Sequence, residues 1–373
     1  MDYMKQALSL AKLALGQVSP NPAVGAVVVK DGEVVGQGYT QPPGSWHAEV
    51  MALNQAGEKA RGGVMYVTLE PCRHYGRTPP CTQAIITAGI SEVQLAMLDP
   101  NPLASGQGED ELEREGIKTY VGKHQKEAKE INEAYIKFIT TGMPFVTAKF
   151  AISLDGKIAT KSGDSEWISG HEARKYVHYL RYTVDAIMAG ANTVIADDPR
   201  LTCRYGGRGG EVKKQPLRVI VDGRGRTPIT AQVFNKPGKA VLAMGNLAKP
   251  ERKEALAQTG AELLELPSEE GLIDLEGLLK ALGERDITSV LVESGGVLLG
   301  SLFDHGLVDK VIAFIAPIII GGEGAKTAVA GQGIDKMIDA IKLEHISLEK
   351  FGEDLMISGY VKNRSIKFKG LFQ

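Results

Sequence analysis

Three candidate metal ligands constrain this chain more than any other feature: His47 in His47-Ala48-Glu49, Cys72 after Pro71, and Cys81 further on. An imidazole and two thiolates suit zinc, which takes N and S donors tetrahedrally, and three protein ligands leave a fourth position for water. Two thiolates cancel the formal charge of Zn²⁺, and zinc lowers the pKa of its water from about 15.7 towards about 7. Glu49 then reads as the proton carrier, taking a proton from the water and handing it to a leaving amine. Positions two apart do not share a helix face as an i, i+4 pair does, so 47 and 49 are expected to do different jobs. The plainer alternative makes Cys72 and Cys81 buried thiols. Against it, the 373 residues contain only 3 cysteines, and two of them flank one Gly/Pro-rich loop.

The His-x-Glu and Pro-Cys elements match the zinc-deaminase signature, in which the Glu is not a ligand. The usual signature closes as Pro-Cys-x-x-Cys, whereas here Arg73 to Pro80 separate the two cysteines. With that long spacing, the stretch Thr68 to Cys81 (TLEPCRHYGRTPPC) resembles the deaminase half of the bifunctional riboflavin-biosynthesis deaminase–reductases. The resemblance implies a cytidine-deaminase-like αβα domain over 1–143, with Asn21, His74, Arg77, Asp99 and Asn101 in its pyrimidine pocket. Read alone, the two Pro-Asn-Pro stretches that hold Asn21 and Asn101 are turn-formers.

Charge narrows the function classes. A net charge of −2 and a pI near 6.4 lack the basic excess of a nucleic-acid binder. No 18-residue apolar run occurs and the first residues show no signal pattern, so neither a membrane nor secretion is expected. Too few cysteines remain for a disulfide framework, and a cytoplasmic setting is expected.

In chain order, helical spacing over 2–15 gives way at Ser19-Pro-Asn-Pro22 to a strand from Ala23 to Val29 and a hairpin through Asp31-Gly32 to Val34–Tyr39. A helix from about His47 to Ala60, strands at Val64–Leu69 and Val93–Met97, and a helix over Pro79–Ala88 are expected around the ligands. They would put the ligands near two helix N-termini, where partial positive charge favours thiolate. A further helix is read near 124–140. Gly142-Met-Pro144 then opens a second domain, 144–373.

Strands at Phe145–Ser153, Ala186–Ala189, Leu217–Val221, Ala240–Ala243, Glu262–Leu266 and Ser289–Val292 alternate with helical stretches, among them one near 171–182. That rhythm predicts a parallel α/β sheet with a nucleotide-like ligand at the strands' carboxyl ends. No Gly-x-Gly-x-x-Gly follows any of them. Gly295-Gly296 offers instead either a phosphate site at a helix N-terminus or a plain strand-to-helix turn, and Gly321-Gly322 is a second such pair. Gly206–Gly210 reads as a flexible surface loop, and Ser365–Gln373 as a loose basic tail.

This half resembles the reductase domain of the same family, through Ser153–Gly156, Gly163–Ile168, Thr193–Arg204 and Val292–Gly296. The resemblance covers about residues 1–365 in the family's order. It implies a dihydrofolate-reductase-like fold and NADPH contacts from Ala151, Trp167, Thr193, Asp197, Gly223, Gly295, Gly296, Val297, Leu298, Leu299, Gly300 and Ser301. It assigns the substrate to Ser165, Arg181, Leu201, Arg204 and Glu293. Arginine forks suit a sugar phosphate, although Arg181 also reads as a solvated helix face and Arg204 as a loop charge. Arg224 and Arg226 are candidates for the cofactor's 2′-phosphate, and Lys149 and Asp155 for acid–base work in the reduction.

The implied reactions are deamination of a diaminopyrimidinone ribosyl phosphate by a zinc-held hydroxide, then reduction of the ribosyl chain to ribityl by NADPH. The expected partner is a small phosphoribosyl-pyrimidine, and a homo-oligomer is expected. A nucleic-acid deaminase of the tRNA-adenosine type would share the zinc site but not the long Cys-x₈-Cys loop. A nucleoside deaminase would leave the second domain unexplained. A purely structural zinc module would need a fourth ligand, for which only His74 stands nearby.

Overall fold

The computed structural model describes residues 1–75, 79–205 and 214–362. The chain divides into two compact units, one from Met1 to Gly142 and the other starting at Met143.

The first unit runs α1 (Tyr3–Ala14), β1 (Gly25–Lys30), β2 (Glu33–Tyr39), α2 (Ala48–Ala56), β3 (Val64–Val67), α3 (Cys81–Ala88), β4 (Glu92–Leu95), α4 (Gln107–Arg114), β5 (Lys118–Val121), α5 (Gln125–Ile131) and α6 (Glu133–Thr141). Its sheet has the order β2-β1-β3-β4-β5. β1 is antiparallel to both neighbours, and β3, β4 and β5 run parallel. β1 is the apolar run Gly-Ala-Val-Val-Val and is buried nearly throughout, as a strand covered on both faces should be. In β2, Gly36 and Gly38 let α2 lie directly on the strand. An added Cβ would come within 2.1 Å of the Ala52 carbonyl oxygen at position 36 and 2.6 Å of the Ala48 oxygen at position 38. This close approach fixes the helix that carries the first metal ligand.

The single helix read near 124–140 is two helices. Asn132 lies between them, and its buried side chain accepts from the Ala23 N–H at 2.8 Å and donates to the Ala23 carbonyl at 3.1 Å. A side chain committed to a distant backbone breaks the helix and ties it to the turn that holds Asn21. The helix expected over His47–Ala60 is shorter too, ending at Ala56 and continuing as a 3₁₀ turn over Gly57–Ala60.

The second unit runs β6 (Phe145–Ser153), α7 (His171–Thr183), β7 (Ala186–Gly190), α8 (Ala191–Asp197), β8 (Leu217–Val221), α9 (Gln232–Asn235), β9 (Ala240–Met244), α10 (Pro250–Ala257) and β10 (Glu262–Glu265). A small hairpin of β11 (Ser268–Glu269) and β12 (Leu272–Ile273) leads into α11 (Leu275–Gly283), β13 (Ser289–Glu293), α12 (Gly296–Asp304), β14 (Lys310–Ala316), β15 (Leu343–Phe351) and β16 (Asp354–Val361). The nine-stranded sheet has the order β10-β9-β8-β7-β13-β6-β14-β16-β15. Along that order the seven strands β10-β9-β8-β7-β13-β6-β14 are parallel, as the alternating pattern predicts. β16 and β15 close the sheet antiparallel, a mixed edge that the strand–helix rhythm does not contain. Val146, Ala148, Val290 and Val292 from the central strands pack with Leu298, Leu299 and Leu302 of α12 in the main core.

Candidate active sites

In the first unit the metal ligands converge from two helix starts and a loop. His47 is the residue that caps α2, Cys81 is the first residue of α3, and Cys72 lies beyond β3. His47 Nδ1 is 3.2 Å from Cys81 Sγ and 3.6 Å from Cys72 Sγ, and all three ligand atoms lie within 4.8 Å of one another. A tetrahedral zinc with bonds of about 2.0–2.3 Å needs N···S edges of about 3.6 Å, so the donor set fits the metal. The two cysteines are pulled in opposite directions. The Cys81 hydrogen bond and His47 drive Cys72 down to about 4, while the hydrogen bond with Cys72 and then burial hold Cys81 well up. A dication relieves that frustration by accepting both as thiolates.

Glu49, in the first turn of α2, is 4 % exposed. Burial first, and the Cys72 charge second, push its carboxyl up to about 7. Cys72 also lines a cavity of about 470 Å³ with Glu70, His74, Asp99, Asn101 and Gln107. Asp99 accepts from the Asn101 N–H at 2.9 Å and from the Tyr135 hydroxyl at 3.1 Å, and burial pushes its carboxyl up. Asn21 sits at the turn closed by its own N–H on the Val18 carbonyl and is not part of the cavity lining. Arg77 lies outside the described residues, as do Gly206–Gly210 and Ser365–Gln373. Glu70 and Tyr135 carry no motif that sequence reasoning would single out.

In the second unit a cleft of about 1180 Å³ lies at the carboxyl ends of the parallel strands. Of the expected contacts, Lys149, Ala151, Ser165, Arg181, Thr193, Asp197, Leu201, Gly223, Glu293, Gly295, Gly296, Val297, Leu298 and Ser301 line it, as do Arg224 and Arg226. Trp167, Leu299, Gly300, Arg204 and Asp155 do not. Trp167 is 67 % exposed and stacks on Arg174 at 4.6 Å. Leu299 points into the core instead, and Gly300 abuts the backbone of Ala330, where a Cβ would meet the carbonyl oxygen at 2.1 Å. Arg204 donates to His178 Nε2 at 3.1 Å. Burial, with Arg181 and Arg204 nearby, holds that imidazole down to about 4, so it is neutral and can accept.

Asp155 is a structural anchor. It accepts from Ser153 Oγ at 2.6 Å and from the N–H groups of Ile320 and Gly321 at 3.0 and 2.7 Å. The Gly321-Gly322 pair therefore has its first N–H, that of Gly321, engaged by Asp155. At the other pair, the Gly295 N–H donates to Thr193 Oγ1 at 3.0 Å, so one donor at the start of α12 is likewise engaged. Lys149 and Glu293 meet because β6 and β13 pair in parallel register at these two residues. Glu293 joins Lys149 Nζ at 3.4 Å and takes a two-pronged contact from Arg181. Burial lowers the pKa of Lys149. Burial also opposes ionisation of Glu293, but Arg181 and then Lys149 override it and bring its carboxyl to about 2.

Comparison with known proteins agrees with both halves. Residues 1–97 match the family model described as the cytidine and deoxycytidylate deaminase zinc-binding region, and residues 144–357 match the RibD C-terminal domain. The chain is 45 % identical over 356 residues to the riboflavin biosynthesis protein RibD of Aquifex aeolicus, covering 95 % of this chain and 97 % of that protein. The Escherichia coli RibD is 39 % identical, with 95 % and 97 % covered. Among solved structures, Acinetobacter baumannii RibD superposes with a TM-score of 0.86 at 38 % identity, covering 97 % of this chain and 98 % of that one. A Thermotoga maritima structure superposes at 0.83 and 36 % identity, covering 96 % and 97 %. It is described as a diaminohydroxyphosphoribosylaminopyrimidine deaminase/5-amino-6-(5-phosphoribosylamino)uracil reductase.

Proposed function

The chain belongs to the RibD family, in which one polypeptide is both a deaminase and a reductase of riboflavin biosynthesis, and from that premise we propose how its residues divide the two reactions. It is a bifunctional enzyme that uses zinc and NADPH. The domains are taken as 1–143 for deamination and 144–373 for reduction. The substrate is 2,5-diamino-6-ribosylamino-4(3H)-pyrimidinone 5′-phosphate, following the compounds that name the Thermotoga protein.

For deamination, the single supporting observation is the convergence of His47, Cys72 and Cys81 beside the buried Glu49. When bound there, zinc lowers the pKa of water towards about 7. Glu49 takes the water proton as oxygen adds to the amino-bearing ring carbon, then gives a proton to the departing nitrogen, which leaves as ammonia. Asp99 and Asn101, with His74 at the cavity wall, hold the pyrimidine.

For reduction, the supporting observation is the Arg181–Glu293–Lys149 cluster in the larger cleft. Bound in this cleft, NADPH would supply the hydride that C1′ of the ring-opened, imine-like sugar needs. Lys149 is the acid–base candidate that reaches the cleft, and it would deliver a proton to the imine nitrogen. Glu293 and Arg181 hold the ribosyl chain, and Thr193, Asp197 and the start of α12 hold the cofactor.

The partner is a small molecule, and among the described residues no helix is long and apolar enough to cross a membrane. The reading includes a cytoplasmic setting, which keeps thiolate ligands reduced. It also includes a homo-oligomer, supported by the exposed apolar residues on the sheet-edge strand β15. The deciding experiment supplies the phosphoribosyl-pyrimidine and measures ammonia release and NADPH oxidation in one reaction. Ammonia without NADPH oxidation would favour a deaminase with an accessory nucleotide-binding domain.

A further inference from the structure

The Glu70 carboxylate accepts from the N–H groups of Asp99 and Gly106 through Oε2, each at 2.9 Å. It also accepts from Gly108 at 2.8 Å and Glu109 at 3.2 Å through Oε1. The residue is 5 % exposed, and among the described residues no cation pairs with it. A carboxylate offers about four lone-pair sites and no donor, so these four N–H groups use its acceptor capacity. Glutamine in the same place would turn its NH₂ group towards backbone donors.

Three of these donors belong to the entrance of α4, whose capping residue, Gly106, gives it no side-chain cap of its own. The first N–H groups of a helix lack intrahelical partners and carry partial positive charge. Glu70, three residues beyond β3, therefore caps α4, and the fourth bond draws Asp99 into the same clamp. Sequence permits the approach at Gly108, where an added Cβ would lie 2.2 Å from the Pro71 carbonyl oxygen. The clamped stretch contains Asp99, Asn101 and Gln107, which line the 470 Å³ cavity together with Cys72. Glu70 immediately precedes Pro71-Cys72, so one short peptide joins a metal ligand to the opposite wall of the cavity.

We infer that Glu70 is a positioning residue for deamination, fixing the 99–109 segment so that Asp99 and Asn101 stand at the correct distance from the metal ligands. The inference rests on the cavity being the pyrimidine site proposed above. The expected effect of Glu70→Gln in the full-length enzyme is a rise of at least tenfold in KM for the aminopyrimidine and a smaller fall in kcat. Zinc content should equal that of the wild type, and NADPH oxidation with pre-deaminated substrate should be unchanged. Gly108→Ala, which leaves the carboxylate but obstructs the approach, should reproduce the KM effect, and it carries the test alone if Glu70→Gln does not fold. A lowered melting temperature with KM unchanged would make Glu70 merely structural and overturn the inference. Loss of zinc would assign Glu70 to the metal site, and a fall in kcat without a change in KM would assign it to the chemistry. Either result also overturns it. A wild-type enzyme that releases no ammonia would instead sink the functional reading on which the inference stands.

Discussion

Arg181 holds Glu293 side-on, with Nε 2.6 Å from Oε1 and Nη2 3.1 Å from Oε2. Two parallel N–H···O bonds fix both planes, and Arg181 spends a further N–H on the Thr202 carbonyl at 3.0 Å. Lys149 approaches the same carboxylate from the neighbouring strand. Two cations and one anion thus share a buried corner of the cleft. The surplus positive charge suits a phosphorylated sugar and an anionic cofactor.

Glu293→Gln should be strongly destabilising to the second unit, because it leaves Arg181 and Lys149 buried without their counter-charge. Removing one partner of a buried pair costs about 3–5 kcal/mol. Hydrogen exchange of amides in β6 and β13 should show the loss, while amides of β1 and β3 keep wild-type protection. Unchanged protection in β13 would mean that water reaches the cluster and screens it.

The same carboxylate sets an acid limit. Its folded pKa, about 2, lies below its ordinary value of 4.5. The stabilisation is therefore complete above about pH 4.5 and disappears as pH falls from there towards 2. Stability of the second unit, followed over that range, should fall more steeply in the wild type than in Glu293→Gln. Parallel profiles would remove Glu293 from the acid response.

The zinc ligands are legible from residue type and spacing, whereas the resemblance names Lys149, Arg181 and Glu293 only singly, and their meeting is a matter of sequence distance. His47, Pro71-Cys72 and Cys81 carry their chemistry in residue type and spacing, and Cys81 is marked by the prolines that open α3. Lys149 and Glu293 are brought together only by the parallel register of β6 and β13. The central strands were readable because Val290–Val292 is a continuous apolar run and Phe145–Ala148 is apolar but for Thr147. β15 was not, since its Leu-Glu-His-Ile-Ser-Leu-Glu-Lys-Phe sequence is largely solvent-facing and resembles a polar connector. Glu70 lies inside the stretch that carries the resemblance, but its role left no signal, because its four partners are backbone N–H groups. The resemblance correctly suggested an α/β second half, but it could not foretell that Leu299 and Gly300 serve packing.

Glu49→Gln should retain zinc and lose deamination by about 10²–10⁴-fold, the usual worth of a positioned acid–base group. Reduction of pre-deaminated substrate should continue, since Glu49 belongs to the first unit. Cys72→Ser makes the contrast: it should lose most of its zinc by metal analysis, and deamination with it. Deamination by Glu49→Gln above about a tenth of the wild-type rate would exclude the proton-carrier role.

The last expectation concerns the open edge of the large sheet. Among the described residues β15 is the last strand in the sheet order and pairs with β16, which makes it the edge strand. Ile346 and Leu348 on it are 63 % and 64 % exposed, and Met337 and Ile338, in the segment leading to it, are more exposed still. A lone exposed apolar side chain means little, but several on one bare sheet edge mark an interaction surface. A second copy meeting the same edge by two-fold symmetry would pair the strands and cover these residues. Replacing Ile346 and Leu348 together by lysine adds two charges per chain to that face, four across a symmetric pair. Sedimentation should then show the wild type as an oligomer and the double variant shifted to monomer. Deamination should persist in the variant, since neither residue is in the first unit. An unchanged sedimentation coefficient would move the interface elsewhere, and a monomeric wild type would remove the homo-oligomer from the functional reading.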